Sequence, residues 1–325
     1  MFTDHSEKET TQTFFSHGKI LLSSEYLVLE GAKALALPLK AIQSMHVQKQ
    51  AQTKSKASKM SWKSFQNRAL WFELECLLPD FKVIQATDLS VAKRLIEIFK
   101  ALKQINPAFI TELSKDSWRI QTDLDFDRYW GWGTSSTLIA NLAKWAETNP
   151  YVLLEKTFQG SGYDIACSNA KGPIFFRRNS DSSVEVTPAA FKPPFLSQLF
   201  LVYLEKKQNS YEAIYQFNQS SSSNGRDVTF FSKLTDDLSQ EKNLENFSNL
   251  IVEHEKRMSK ILKKPRIQES LFFDFFGQTK SLGAWGGDFA LAICPESHTE
   301  EELKNYFSKK GFNTVFPLEV FALMG

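Results

Sequence analysis

Gly131-Trp132-Gly133-Thr134-Ser135-Ser136 sets two glycines and three hydroxyl residues directly before apolar residues at helical spacing: Leu138, Ile139, Leu142, Trp145 and Ala146. The spacing predicts a glycine-rich turn opening into an amphipathic helix over 134–147. Such a turn lets the backbone approach a bound group. The helix start adds unpaired N–H groups and the positive end of its dipole, and the combination suits a phosphate. Thr134, Ser135 and Ser136 stand where a cap or a metal-coordinating oxygen is wanted. With no Lys after the glycines, the stretch is not a Walker A loop. An ordinary capped turn has the same local signature, so the reading depends on the rest of the chain.

Three further constellations bear on it. In SHGKILLSSEYLVLEG (16–31), Lys19 could stabilise charge on a phosphate or a reacting hydroxyl and Glu25 could hold it in place; a surface ion pair is the alternative. In QGSGYDIACSNAKGP (159–173), Asp164 follows Gly160-Ser161-Gly162 and begins an apolar helical turn. A carboxylate there suits a general base for an alcohol, and equally a charge that satisfies helix-start donors. In KSLGAWGGDFALAI (280–293), Gly283, Gly286 and Gly287 permit a tight turn and close backbone approach to a ligand, or a bulge before a buried strand.

The elements that must position these residues follow from periodicity. Lys19–Leu22, Tyr26–Leu29 and Ala34–Leu39, continuing toward Val47, read as strands, and Gln48 to Lys59 as an exposed Lys/Ser/Gln loop. Leu70–Leu77, Phe81–Gln85 and Trp118–Thr122 read as strands, and Leu89–Leu102 as an amphipathic helix with Pro107 beyond its end. Ile174–Phe176 and Phe195–Leu204 are strand-like, Ser210 to Lys264 is mostly helical, and Gly283–Ile293 is a turn running into a strand. Glu300–Phe307 adds a helix and Thr314–Phe316 a strand. Strands first and helices later predict an α+β chain, with a boundary near 190 where Pro188 to Pro194 cluster: an N-terminal domain over 1–190 and a C-terminal domain over 191–325.

Composition narrows the function. The 325 residues suit about two domains, and a formal charge of +2 favours neither nucleic acid nor an anionic membrane. The lysine-rich loop lacks interleaved aromatics, so an RNA-binding role is remote. The three cysteines, Cys76, Cys167 and Cys294, are scattered and fit a reducing compartment as small core residues. The polar N-terminus is unlike a secretory signal, and no apolar run approaches the roughly 18 residues of a membrane span. A cytoplasmic protein, monomer or homodimer, is expected. The five histidines include no HExxH or close pair.

In this order, the four motifs resemble those of the GHMP kinases: galactokinase, homoserine kinase, mevalonate kinase and phosphomevalonate kinase. SHGK…SSEYLVLEG is similar to the family's PGK…GEY/H motif, GWGTSST to its GLGSSA phosphate loop, KSLGAWGGD to its GAGGGD motif, and GSGYDIA to the GSGFDVA of phosphomevalonate kinases. The match runs from about 16 to 293. It implies a ribosomal-protein-like β-α-β N-terminal domain, a ferredoxin-like C-terminal domain and ATP bound between them. By position, Gly131, Gly133, Thr134, Ser135 and Ser136 would cradle the nucleotide phosphates, with Ser135 nearest Mg²⁺. Gly283, Gly286 and Gly287 would line the site. Asp164 matches the catalytic base, Lys19 its supporting lysine, and Glu25 the acidic residue of the first motif, expected with Ser161 on the substrate side. A fifth segment, KKQNSYEAI (206–214), is similar to a stretch of phosphomevalonate kinases whose Lys207 and Ser210 counterparts could hold an anionic substrate group.

This chain departs from the family in three places. Ser24 replaces the glycine before Glu25. Trp285 replaces a glycine of the third motif and is expected to crowd that loop. Leu153 stands where mevalonate kinases carry a second Mg²⁺ ligand, leaving Glu155 as the nearest substitute. The resemblance implies an ATP- and Mg²⁺-dependent kinase acting on a hydroxylated or phosphorylated isoprenoid-pathway metabolite, mevalonate or phosphomevalonate foremost. A mevalonate-type diphosphate decarboxylase and a non-catalytic nucleotide- or metabolite-binding homologue are the alternatives.

Overall fold

The structure, a computed structural model, describes residues 11–50, 57–206, 210–220, 223–285 and 287–325, except the side chains of 210, 211, 218 and 220. The chain forms two compact units that interleave in sequence. Within the described residues, the first comprises 11–16, 42–127 and 134–158, and the second 17–41, 128–133 and 159–325.

The first unit takes the start of β1 (Thr11–Leu21), the second half of β2 (Ala34–Gln50), and all of β3 (Lys59–Gln66), β4 (Ala69–Leu77), β5 (Lys82–Ala86) and β6 (Ser117–Leu124). Its sheet order is β5-β4-β3-β6-β2, with β3 and β6 parallel and the other pairs antiparallel. Along β3 the buried residues alternate, Met60, Trp62 and Ser64 on one face, which is the period-two pattern of a half-covered strand. Four helices cover that face: α1 (Leu89–Ile105), α2 (Pro107–Leu113), α3 (Thr134–Trp145) and α4 (Pro150–Thr157). The Asp88 carboxylate caps α1 by accepting from the Ser90 and Val91 amides, and Leu95, Phe99 and Leu102 are buried from it. Pro107 does not merely end α1. Asn106 caps a second helix, α2, whose first position Pro107 occupies at no hydrogen-bonding cost.

α3 carries the predicted phosphate-loop helix and is fastened along its buried side. The Ser16 hydroxyl donates to Asn141 Oδ1 (2.7 Å), Asn141 Nδ2 to the Gln43 carbonyl (2.9 Å) and the Thr137 hydroxyl to Gln43 Oε1 (2.8 Å). Trp145, at its end, meets Phe99, Phe109 and Trp118 edge-on.

The second unit opens with the strand ends His17–Leu21 and 34–41 and continues through α5 (Tyr163–Cys167), β7 (Ile174–Arg178) and β8 (Val184–Pro188). Here Ala34–Ala36 pair with β7, and β7 with β8. Next come β9 (Leu199–Tyr203), three helices α6 (Ser210–Ser220), α7 (Gly225–Gln240) and α8 (Leu244–Leu262), the short α9 (Ile267–Ser270), then β10 (Gln278–Ser281), β11 (Phe289–Ile293), α10 (Glu300–Lys309), β12 (Val315–Pro317) and α11 (Leu318–Phe321). β9 to β12 form a separate antiparallel sheet in the order β10-β11-β9-β12. A β-α-β-β-α-β succession with its first strand between the third and fourth is the expected ferredoxin-like arrangement. Phe200, Phe272, Phe275, Leu303 and Phe307 make its core, so the abundant phenylalanines are packing residues.

The structure departs from the sequence expectations in the first motif and at β3. Tyr26–Leu29 is not a strand: Leu27–Glu30 form a 3₁₀ turn, entered through Ser24 (φ 63°) and Tyr26 (φ 62°). The apolar run that suggested a strand is buried because the turn is sunk into the unit, not because it joins a ladder. The strand β3, by contrast, was not foreseen, since its alternate Lys and Ser residues dilute the apolar signal. Of the exposed loop expected at 48–59, residues 48–50 extend β2 and Lys59 begins β3, while 51–56 lie outside the described residues. All three cysteines are free and buried. Among the described residues, no helix is long and apolar enough to cross a membrane.

Candidate active site

All four motifs contribute a residue around the Lys19 side chain, inside the second unit. Lys19 lies near the end of β1, where its amide donates to the Trp132 carbonyl (3.0 Å) and its ammonium to the Gly131 carbonyl (2.8 Å). The strand and the glycine turn therefore hold each other by both backbone and side chain. Gly131 and Gly133 both have positive φ, 66° and 95°. At Gly131 a Cβ would fall 2.3 Å from Asp288 Oδ2, and at Gly133 one would press on the Lys19 stem at 3.3 Å. Gly131 is thus favoured by conformation and by space, and Gly133 chiefly by conformation.

The turn leads without a break into α3, whose first residues are Thr134, Ser135 and Ser136. Ser136 is buried and Ser135 is exposed. The first amides of a helix have no intrahelical acceptor, so this end presents donors and a positive dipole next to the glycines.

Asp164 comes from the third segment. Gly160 and Gly162 take positive φ, 114° and 91°, and α5 starts immediately after them. Asp164 Oδ1 accepts the Ile165 amide at 3.0 Å, fixing the carboxylate near its own helix start. Tyr163 precedes it, with the Lys19 ammonium 5.3 Å from its ring centroid. Burial disfavours the Lys19 charge, yet Tyr163, Asp164 and Asp288 together raise its pKa above that of an ordinary lysine. Burial likewise keeps the Tyr163 phenol protonated, with Lys19 opposing. The group thus sets a firmly charged ammonium beside a protonated phenol. Cys167 is close by, but burial and then Asp164 push its thiol pKa up and leave it unreactive.

The third motif supplies Gly283 (φ 65°), Gly287 and Asp288. Asp288 is buried against Gly131, and its backbone is held on both sides: its amide donates to the Lys206 carbonyl (2.6 Å) and its carbonyl accepts from Leu204 (2.7 Å). The sequence placed Asp288 in a quoted motif but assigned it no role; its acidity beside three glycines was the available signal. Tyr163 was missed in the same way. Trp285 does not crowd the glycine turn as expected. It takes φ 51° and buries its ring among Tyr26, Leu27, Phe217, Phe231 and Met258.

Glu25 is placed differently from a residue facing an acceptor. It is 1 % exposed, its Oε1 pairs with Lys280 and its Oε2 lies 3.0 Å from His254 Nε2. Burial alone would raise its pKa; Lys280 and then His254 outweigh that and bring it down to about 2. Ser161 is buried in the turn before Asp164. Lys207, Gly286 and the Ser210 side chain lie outside the described residues.

For a metal, Leu153 is buried in α4 and Glu155 sits on the exposed face of that helix. Among the described residues, no group of three or more His, Cys, Asp or Glu side chains is arranged to hold an ion. A Mg²⁺ carried on a triphosphate needs few protein oxygens, and the exposed Ser135 hydroxyl at the start of α3 fits that lesser requirement.

No family model matches the chain, and no curated protein matches it by sequence. Solved structures do. Leishmania major mevalonate kinase in complex with R-mevalonate aligns over 98 % of this chain and 98 % of its own, with a TM-score of 0.68 at 15 % identity. Streptococcus pneumoniae phosphomevalonate kinase, in complex with phosphomevalonate and AMPPNP, aligns over 94 % and 99 %, with a TM-score of 0.65 at 15 % identity. Staphylococcus aureus mevalonate diphosphate decarboxylase aligns over 97 % and 96 %, with a TM-score of 0.59 at 12 % identity. Over the aligned residues, this chain has the α+β fold of the GHMP kinases.

Proposed function

We propose that the protein is an ATP-dependent small-molecule kinase of the GHMP type, with mevalonate or phosphomevalonate as the favoured acceptor. The observation that carries this reading is the half-buried Lys19 ammonium, bonded to the carbonyl of Gly131 and acted on by Asp164 and Asp288. It draws the first motif, the glycine turn and the GSGYD segment around one cation. The mevalonate kinase and phosphomevalonate kinase folds support the same class, and the AMPPNP complex of the latter supports a triphosphate ligand.

In this reading Gly131, Gly133 and the first amides of α3 receive the phosphates, with Thr134, Ser135 and Ser136 at that end and Gly283, Gly286 and Gly287 lining the site from the third motif. Asp164 accepts the proton of the acceptor hydroxyl, whose oxygen forms the new bond to the γ-phosphorus as the bond to the β-phosphate oxygen breaks and ADP leaves. Lys19 stays charged throughout and stabilises the negative charge that shifts between these oxygens. Where phosphomevalonate is the acceptor, its phosphate oxygen is already ionised, and Asp164 positions more than it deprotonates. Ser135 would hold a Mg²⁺ ion, which when bound neutralises phosphate charge. Glu155 is not needed for this. Glu25 holds the motif together instead of touching substrate, whereas Ser161, Lys207 and Ser210 remain candidates for the acceptor side.

A second reading, decarboxylation driven by ATP, shares the fold. ADP formation with mevalonate, phosphomevalonate, mevalonate diphosphate, homoserine and galactose, with carbon dioxide followed in parallel, tests both. Release of ADP without carbon dioxide supports the kinase, and both products together support the decarboxylase. ADP at background with every acceptor, from protein that binds AMPPNP, points to a non-catalytic homologue. Asp164→Asn is expected to bind AMPPNP about as tightly as the parent and to lose about 10²–10⁴-fold in turnover. Normal turnover in that variant removes Asp164 from the role of base.

A further inference from the structure

Beneath the first motif lies a cluster of four ionisable side chains that the proposed chemistry does not use. Glu25 of the motif, His254 and Glu255 of α8, and Lys280 of β10 are each 0–1 % exposed. Lys280 Nζ pairs with Glu25 Oε1, lies 3.6 Å from Glu255 Oε1, and donates to the Ser281 carbonyl at 2.9 Å. Glu255 Oε2 accepts the Ser281 amide at 3.2 Å. His254 stands between the carboxylates, with Nε2 3.0 Å from Glu25 Oε2 and Nδ1 3.7 Å from Glu255 Oε1. The same Nε2 lies 3.1 Å from the Ser24 amide, whose N–H it can accept. One ring nitrogen cannot accept from Ser24 and donate to Glu25 at once, so the imidazole serves the strand end or the carboxylate but not both. α7 adds the Phe231 ring, edge-on to the imidazole at 4.9 Å, and the Thr235 hydroxyl beside those of Ser23 and Ser24.

Burying four such groups is a poor way to stabilise a core, because apolar replacements of similar volume are often as stable or more so. What the cluster surrounds is strained. Tyr26 has φ 62° and ψ −49°, and the Leu27 amide closes back on the Glu25 carbonyl at 2.7 Å. That is a γ-turn of the rare, strained hand, placed directly after Glu25. Ser24, on the other side of Glu25, also has positive φ. Backbone of this kind persists only where its surroundings over-determine it. The Tyr26 hydroxyl then donates to the Ala284 carbonyl at 2.9 Å, within the third-motif turn.

We infer that His254 and Glu255 are positioning residues. Through Glu25 and Lys280 they fix the strained turn of the first motif and the strand leading into the third-motif glycine turn, and so set the geometry of two motifs that neither of them belongs to. The link to nucleotide binding rests on the function proposed above; the clamp itself does not.

Hydrogen exchange on the full-length protein tests the clamp without a ligand. In His254→Leu, the amides of residues 22–31 and 280–287 should exchange about tenfold faster, while those of β4 stay unchanged. In His254→Gln, whose amide can accept from Ser24 and donate to Glu25 together, protection should return to within about threefold of the parent. Calorimetric titration with AMPPNP and Mg²⁺ should show the affinity lowered about tenfold in His254→Leu and restored in His254→Gln. A folded His254→Leu protein with unchanged exchange in both segments overturns the inference. So does loosening that His254→Gln does not reverse, because that marks a packing role alone. If His254→Leu does not fold, the isosteric Glu255→Gln is read in its place, with faster exchange over 280–287 expected and unchanged exchange overturning the clamp. Parent protein that binds no AMPPNP would sink the nucleotide reading and leave the exchange result to decide the clamp.

Discussion

The group around Lys19 depends on one phenol that a phenylalanine would not provide. Lys19 donates to the Gly131 carbonyl, and the Tyr163 phenol bears on its charge. Tyr163→Phe keeps the ring beneath the ammonium but removes the hydroxyl, and should cost about 1 kcal/mol of stability in urea unfolding. Because Lys19 is then freer to move between Asp164 and Asp288, turnover should fall more than acceptor or nucleotide affinity does. A variant with weakened AMPPNP binding and unchanged turnover would instead place the phenol on the ligand side. At this scale the sequence offers candidates where chemistry depends on residue type. Lys19, Asp164 and the two glycines of the turn could be singled out because few other residues serve those purposes. Asp288, Tyr163, His254 and Lys280 could not, since a carboxylate or an imidazole acquires its role only from the partner that folding brings to it. Glu25 shows the limit clearly: the sequence suggests a carboxylate that holds Lys19 or faces the substrate, and in the structure it pairs with Lys280.

At the scale of elements, the first-motif turn is joined to α8 and β10 by charge, and this makes its stability depend on acid. The folded-state pKa of Glu25 is lowered from 4.5 to about 2, so the stabilisation is present in full above the unfolded value and is lost as pH falls from 4.5 toward 2. A shift of that size corresponds to roughly 3 kcal/mol. Other carboxylates titrate in the same window, so the informative quantity is a difference. Urea midpoints measured at pH 5.5 and pH 3 (settings of the assay, roughly one unit either side of the unfolded carboxylate value) should fall less on acidification in Glu25→Gln than in the parent. Equal falls would mean that the pair contributes nothing through ionisation. The element boundaries themselves were legible wherever period and punctuation agree, as at Leu89–Leu102 and at the turn before β11. They were not legible at Leu27–Glu30, because an apolar run sunk by a γ-turn looks like a buried strand. Nor were they at β3, where Lys59, Lys63 and the serines hide an alternation that becomes plain only when Met60 and Trp62 are seen to be covered.

For the molecule as a whole, the interleaving of the two units decides what can fold alone. A single cut near 190 is natural to a reader of the sequence, since prolines cluster there and the strand-rich part gives way to helices. Yet the second unit draws on 17–41 and 128–133 as well as on 159–325. One of its apolar clusters joins Tyr26, Leu27 and Ala32 from the early segment to Phe217, Phe231, Met258, Ile261 and Trp285 from the late one. Linear inspection cannot reveal such a cluster, because hydrophobic periodicity says that a face is buried and not what buries it. Separated at 190, the early segment would expose Leu27 and lose Lys280 and His254, the groups that hold Glu25. Residues 1–190 and 191–325, expressed separately, are therefore expected to lack cooperative thermal unfolding and to give poorly dispersed amide NMR spectra, whereas the intact chain unfolds with a sharp transition. Mixing the two fragments should restore part of that cooperativity, because the apolar cluster and the ion pair can re-form between them. A 1–190 fragment that unfolds cooperatively by itself, with well-dispersed amides, would mean that the early segment folds without its late partners and that a single boundary near 190 is the real division.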